Sequence, residues 1–166
     1  VATAVLGAST WAVLALICDI ELFSQAHYRS SIEPDPNLDP LWNDVFLFHW
    51  KEESQHAILD ELEWRRENAR LSPAERDKAV DDLIALVGAV DGILQAQAKA
   101  DATYFVAIAP RRFSADEQKS IHDGVLRAYR GQYIVSGVRN PRFADALGKK
   151  ITEAQGARIG AALAPI

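Results

Sequence analysis

The stretch FHWKEESQHAIL, residues 48–59, points most directly to a fold. It contains neither proline nor glycine, so it favours an uninterrupted α-helix. Within it, Glu53 and His56 are three residues apart, and on a helix their side chains project from one face. Where such a face points into a helical bundle, the carboxylate and the imidazole can bind one metal ion.

Proline and capping residues divide the chain into five predicted helices. Asp39-Pro40 and Asn140-Pro141 each place proline directly after an N-cap residue. Ser72-Pro73-Ala74-Glu75 and Ser114-Ala115-Asp116-Glu117 are capping boxes. We therefore predict helices over residues 2–28, 40–69, 73–108, 115–136 and 141–163. Four long helices joined by short connections indicate an all-α four-helix bundle with an additional C-terminal helix.

Length and composition indicate a single globular domain over residues 1–166. Of the residues, 49% are hydrophobic and 25% are charged, which is ordinary for a globular protein. The net charge of -5 argues against a nucleic-acid-binding protein. Cys18 is the single cysteine, which excludes an intrachain disulfide and a cysteine-based zinc site. This cysteine usage fits a reducing cytoplasm.

Residues 1–18 carry no charged side chain, which raises the question of a membrane span. The stretch is at the short limit for a span and is diluted by Thr3, Ser9 and Thr10. We therefore expect no membrane association but a helix that is buried on most sides. A helix that is apolar all round also favours a homodimer through the first predicted helix.

The second predicted helix carries aromatic residues on the same face as its candidate ligands. Positions within about 60° of Glu53 include Trp42, Phe46, Trp50 and Trp64. Such a composition predicts a core face with polar groups set into it. Buried carboxylates and imidazoles need one another, water or a metal ion as partners.

Each of the other three long helices places one candidate ligand on its apolar face. These are Glu21 on the first helix, Asp91 on the third and His122 on the fourth. Other readings stay open, because Glu21 could be solvated, Asp91 could pair with a buried Arg or Tyr, and His122 could be hydrogen-bonded. The spacing favours a shared site, since Glu53 follows Glu21 by 32 residues and His122 follows Asp91 by 31.

This arrangement resembles the ferritin-like di-iron carboxylate superfamily, which includes ferritins, rubrerythrins, acyl-carrier-protein desaturases and aryl-amine N-oxygenases. The segment from Trp50 to His56 looks especially like the helix-two motif of the oxygen-activating members. The similarity extends over residues 2–136 and implies a ferritin-like four-helix bundle. It also implies a cofactor of iron, most simply two ions, with manganese or a single ion as alternatives.

The resemblance also implies a role for each residue of the motif. Glu21 would be a terminal carboxylate, Glu53 a bridging carboxylate and His56 a terminal nitrogen ligand. Asp91 would replace the helix-three Glu of the family. On the fourth helix the family's second Glu-x-x-His is missing, so His122 or Asp123 would serve there. The residues open to a sixth ligand position are His49, Asp60 and Glu153.

The function that these expectations favour is a non-haem di-iron oxidase or oxygenase that activates dioxygen in the bundle core, with an unknown small-molecule substrate. Tyr28, Tyr129 and Tyr133 would line the same interior. One alternative is a non-enzymatic helical interaction protein that keeps a buried polar network. Another is an iron-storage or detoxification protein with the same ligands. The sequence contains no nucleotide-binding glycine loop and no serine or cysteine nucleophile motif.

Overall fold

The computed structural model describes residues 2–166, and in this part of the chain every regular element is helical, which confirms the all-α prediction. Two π-helical turns, Tyr28–Ile32 and Gly131–Val135, follow the second and fifth helices. The α-helices are α1 (Ala2–Gly7), α2 (Thr10–His27), α3 (Pro40–Asn68), α4 (Pro73–Ile108), α5 (Ala115–Arg130), α6 (Ser136–Val138), α7 (Pro141–Gly148) and α8 (Glu153–Leu163).

The predicted starts of the long helices are confirmed by their caps. The Asp39 carboxylate accepts a hydrogen bond from the Leu41 amide at 2.8 Å. Ser72 and Ser114 form complete capping boxes with the glutamates three residues later. These boundaries depend on contacts within one turn of helix, which is why the local sequence predicts them.

Two predicted helices are each divided in the structure. The predicted helix over residues 2–28 is broken at Ser9, whose side chain caps α2 and whose amide donates to Asp82 at 2.9 Å. The predicted helix over residues 141–163 ends at Gly148 and begins again after Thr152. Thr152 and Gln155 form a further capping box, a signal that was present in the sequence.

The apolar N-terminal region is used for packing within the chain. Along α2, Trp11, Ala15 and Cys18 are fully buried, whereas α1 has no buried residue. No helix in residues 2–166 is long and apolar enough to cross a membrane. One face of α2 is thus covered within the chain and α1 is not, and the homodimer through residues 2–28 stays a prediction.

Helix α2 is the central element and joins the two long hairpins. It packs against α3 on one side and against α4 on the other, and it also contacts the segment 131–138 and α7. The Trp11 and Trp64 rings meet edge to face at 5.2 Å, and Trp64 stacks on Phe143 at 5.9 Å. This aromatic cluster fixes α2, α3 and α7 relative to one another.

Helix α3 is much less covered than the sequence predicts. Only Ala57 and Trp64 are buried among its 29 residues. The core prediction is therefore wrong for Trp42, which is 57% exposed at the N-terminal end of the helix. The reason is that α3 packs mainly against α2 and leaves the rest of its circumference open.

Candidate metal centre

Three of the five predicted ligands meet between α2 and α3. One donor atom each of Glu21, Glu53 and His56 lies within 4.8 Å of the other two. The His56 Nδ1 is 2.8 Å from a Glu53 carboxylate oxygen. Metal–ligand bonds from these side chains are roughly 2.0–2.2 Å long. Small side-chain rotations therefore suffice for all three to reach one ion.

The backbone around these ligands is held by a glutamine. The Gln25 side-chain amide donates to the Glu21 carbonyl at 3.2 Å and to the Glu53 carbonyl at 3.3 Å. It thus connects α2 to α3 at the level of the two carboxylates. This direct contact between the helices consequently fixes the position of Glu21 relative to Glu53 along the helix axes.

The two glutamates differ in protonation. Burial, together with the hydrogen bond and charge of Glu53, raises the pKa of Glu21 to about 8. The same hydrogen bond lowers the pKa of Glu53, and the Glu53 carboxylate in turn raises the pKa of His56. Near neutral pH the raised pKa of Glu21 therefore favours its neutral carboxyl group beside the ionised Glu53. A divalent cation placed between them would replace the proton of this carboxyl group.

Two further side chains flank the group on α3. The His49 Nδ1 is 3.2 Å from the second Glu53 oxygen, one helical turn before it. Asp60 lies one turn after His56, and its burial raises its pKa. Both are among the residues named above for a sixth ligand position. Glu153, the third of them, is exposed in the first turn of α8.

Asp91 is not part of the Glu21–Glu53–His56 group. Both of its carboxylate oxygens accept hydrogen bonds from the Arg130 guanidinium, at 2.6 and 2.8 Å, and Gln95 donates to it at 2.6 Å. These hydrogen bonds hold the pKa of Asp91 below its ordinary value. The alternative reading, that Asp91 pairs with an arginine, is the one that the structure shows, although Arg130 is partly exposed rather than buried.

His122 also lies apart from the group. Its Nδ1 is 3.2 Å from Asp123, and its side chain is 35% exposed. Asp123, the other candidate on this helix, forms an ion pair with Lys119. Sequence reasoning missed Arg130 as the partner of Asp91. The position of the turn could have revealed this pair, because a turn near residue 111 places residue 130 opposite residue 91.

An aromatic cavity of about 600 Å³ lies beside the ligands. His49 lines it and also contacts Glu53, so the cavity is adjacent to the metal-binding group. Tyr28 and Trp50 stack in its wall at 5.4 Å. Tyr28, Tyr129 and Tyr133 all line this cavity, whereas Glu21, Glu53 and His56 do not, so the tyrosines share a wall but not the interior that was expected to hold the ligands.

The three comparisons made with known protein families, curated proteins and solved structures each find no match to this chain.

Proposed function

We propose that the protein binds a divalent transition-metal ion through Glu21, Glu53 and His56. The observation that carries this proposal is the convergence of the three donors from two helices within 4.8 Å. The raised pKa of Glu21 supports it further, since burial and the neighbouring Glu53 both disfavour a second negative charge here. A cation bound between the two carboxylates would relieve the same cost.

The donor set favours iron or manganese. Carboxylate and imidazole ligands without a thiolate suit these metals, although zinc accepts the same donors. Cys18 is fully buried, and burial raises the pKa of its thiol to about 12, so it would not supply a thiolate. We take iron as the leading candidate because the motif resembles that of the ferritin-like di-iron proteins.

With iron bound, the chemistry supplied would be the activation of dioxygen, and the proposed activity is that of a non-haem oxidase or oxygenase. The residues of this chain would hold the ion and provide space for a substrate. The adjacent aromatic cavity supports a small apolar or aromatic substrate. The arrangement of α2 to α5 would then be an open variant of the ferritin-like bundle.

Metal analysis tests this proposal directly. Protein purified without an affinity tag would be compared with the double variant Glu53→Ala/His56→Ala by elemental mass spectrometry. We expect iron or manganese at a stoichiometric level in the wild type and its loss in the variant. Dioxygen consumption with iron(II) tests the second step. Metal content near zero in both proteins, or equal content in both, contradicts the proposal.

A further inference from the structure

The donor group is incomplete and opens toward solvent. Three protein donors leave at least one coordination position free on a four-coordinate ion and more on a six-coordinate one. The Glu53 side chain is only 15% exposed, but that of His56 is 46% exposed. The open side of the site is therefore the side that His56 faces.

A row of eight exposed residues, five of them apolar, runs along α3 next to this open side. Its positions alternate in steps of four and three residues, the spacing of a coiled-coil seam, over a helix about 43 Å long. We call these eight positions the α3 seam, and all of them are exposed: Leu41, Val45, Phe48, Glu52, Gln55, Leu59, Leu62 and Arg66.

The α3 seam is self-complementary when two copies pair in antiparallel orientation. The register that places Phe48 opposite Leu59 of a second copy also places Val45 opposite Leu62. In this register the polar residue Glu52 meets Gln55, so its carboxylate can accept a hydrogen bond from the amide. Four apolar residues of the seam thus face apolar residues, the polar pair in the middle of the seam is matched, and Leu41 meets Arg66 at each end.

Charges beside the seam agree with the same register. Asp44 and Arg65 lie on the same flank, and the pairing brings Asp44 of one copy level with Arg65 of the other. Within residues 2–166, neither side chain forms an ion pair. A second copy would supply the missing partner for each of them, and it would do so twice by symmetry.

The metal ligands lie on the flank of the seam opposite to the flank that carries Asp44 and Arg65. His56 is about 60° around the helix from Leu59, and Glu53 is about 60° further, toward the face packed on α2. The group thus occupies the arc between α2 and the helix that would cover the seam. In the antiparallel register, His49 of one copy lies level with His56 of the other, near the two-fold axis.

We propose that a second copy of this chain packs on the α3 seam and closes the open side of the metal centre, so that the partner's His49 lies beside His56 and can complete the coordination of the ion. The inference rests on the proposed metal binding. Each Glu21–Glu53–His56 group keeps its own ion, and the second copy supplies a further donor on the open side of the site.

Disulfide trapping tests the register. Phe48→Cys/Leu59→Cys in a Cys18→Ala background should form a covalent dimer under mild oxidation. Either cysteine alone should not, because in the antiparallel pair its own symmetry mate is 11 residues, or about 16 Å, away along the axis. Cross-linking by Phe48→Cys alone would indicate parallel helices and overturn the register. A double variant that stays monomeric overturns the interface.

Metal titration of a seam variant tests the shared site. Leu59→Glu places a charge at the centre of the seam, and Ile108→Glu is a matched control at a similarly exposed isoleucine on α4. With Mn²⁺ as the probe, we expect Leu59→Glu to be monomeric in native mass spectrometry and to bind at least ~100-fold more weakly. The wild type and the control should be dimers with one ion per chain.

The possible failures are distinguishable. A Leu59→Glu monomer with unchanged Mn²⁺ affinity overturns the shared site while leaving the proposed metal binding intact. A wild-type dimer that takes up no metal overturns the proposed function and, with it, the completion of the site. A wild type that is monomeric with and without Mn²⁺, or a seam occupied by a different protein, overturns the second copy as the partner.

Discussion

The hairpin of α2 and α3 and the hairpin of α4 and α5 carry similar sequence patterns but form different sites. In the first, Glu21 and Glu53 meet as two carboxylates with His56 beside them. In the second, Asp91 meets the guanidinium of Arg130 instead of a second ligand. The first hairpin therefore pairs two acidic side chains with each other, whereas the acid of the second is neutralised by an arginine.

The difference shows that the character of each site is decided by the residue opposite the core acid. A carboxylate facing a carboxylate requires a proton or a cation, whereas a carboxylate facing an arginine requires neither. The spacing of acidic residues in the sequence does not distinguish a metal-binding pair from an ion pair. The charge of the residue on the opposite helix of the hairpin distinguishes them.

Removing Asp91 should give the largest loss of stability in this comparison. Asp91→Ala leaves the Arg130 guanidinium, whose side chain is 20% exposed, without its partner. Breaking such a pair costs about 3–5 kcal/mol of unfolding free energy. Urea denaturation measures it. Glu21→Ala is the matched change in the other hairpin and should cost far less, because it relieves a carboxylate pair. Equal losses would contradict the distinction.

Removing His56 should have the next largest effect, on metal affinity. His56→Ala takes away the only nitrogen donor of the group, and we expect Mn²⁺ binding to weaken by at least ~100-fold. His122→Ala is the matched control, because His122 contacts only the exposed Asp123. Isothermal titration calorimetry compares them. A similar weakening in both variants would show that the two hairpins do not differ in this way.

The contact between α2 and α6, the short helix that follows the second hairpin, should be sensitive to one added methyl group. A Cβ added at Gly137 would overlap the buried carboxylate of Asp19 on α2. We expect Gly137→Ala to lower the unfolding free energy by about 1–3 kcal/mol. Gly124→Ala on α5 meets no atom within 4 Å and should raise stability slightly. Thermal denaturation of the two variants would show opposite shifts, and shifts of the same sign would contradict this packing.

The smallest effect concerns the pH dependence of stability. The pKa of Asp91 is held below its ordinary value of 3.8 by Arg130. The pair therefore contributes fully above that value, and the contribution is lost as the pH falls through the lower pKa of the folded state. Asp91→Asn should remove this part of the acid-induced loss. Denaturation curves between pH 5 and 2 that are parallel for both proteins would refute it.

Local features of the fold could be predicted from the sequence because they depend on neighbouring residues. The starts of α3, α4 and α5 follow from Asp39, Ser72 and Ser114, each of which satisfies amides in its own first turn. Glu53 and His56 share a face because they belong to one helix. The break at Ser9 was missed because its stabilising partner, Asp82, is distant in the sequence.

The predicted ligands that the structure does not bring to the site, Asp91 and His122, were placed there by assumptions about how the helices lie relative to one another. Asp91 and His122 lie at different heights along the α4–α5 hairpin. The turn between these helices is placed so that Arg130, not His122, lies opposite Asp91. The open face of α3 was read as core because aromatic residues at helical spacing look alike whether they are covered by the same chain or not. Amphipathic pattern predicts that a face will be covered, but not by what.

The most direct measurement is the anomalous difference density of a crystal grown with iron or manganese, collected at the absorption edge of that metal. The account predicts a peak between Glu21, Glu53 and His56, within roughly 2.2 Å of their donor atoms, and none beside Asp91 and Arg130. A peak at Asp91 or His122, or no peak between α2 and α3 at saturating metal, would contradict it.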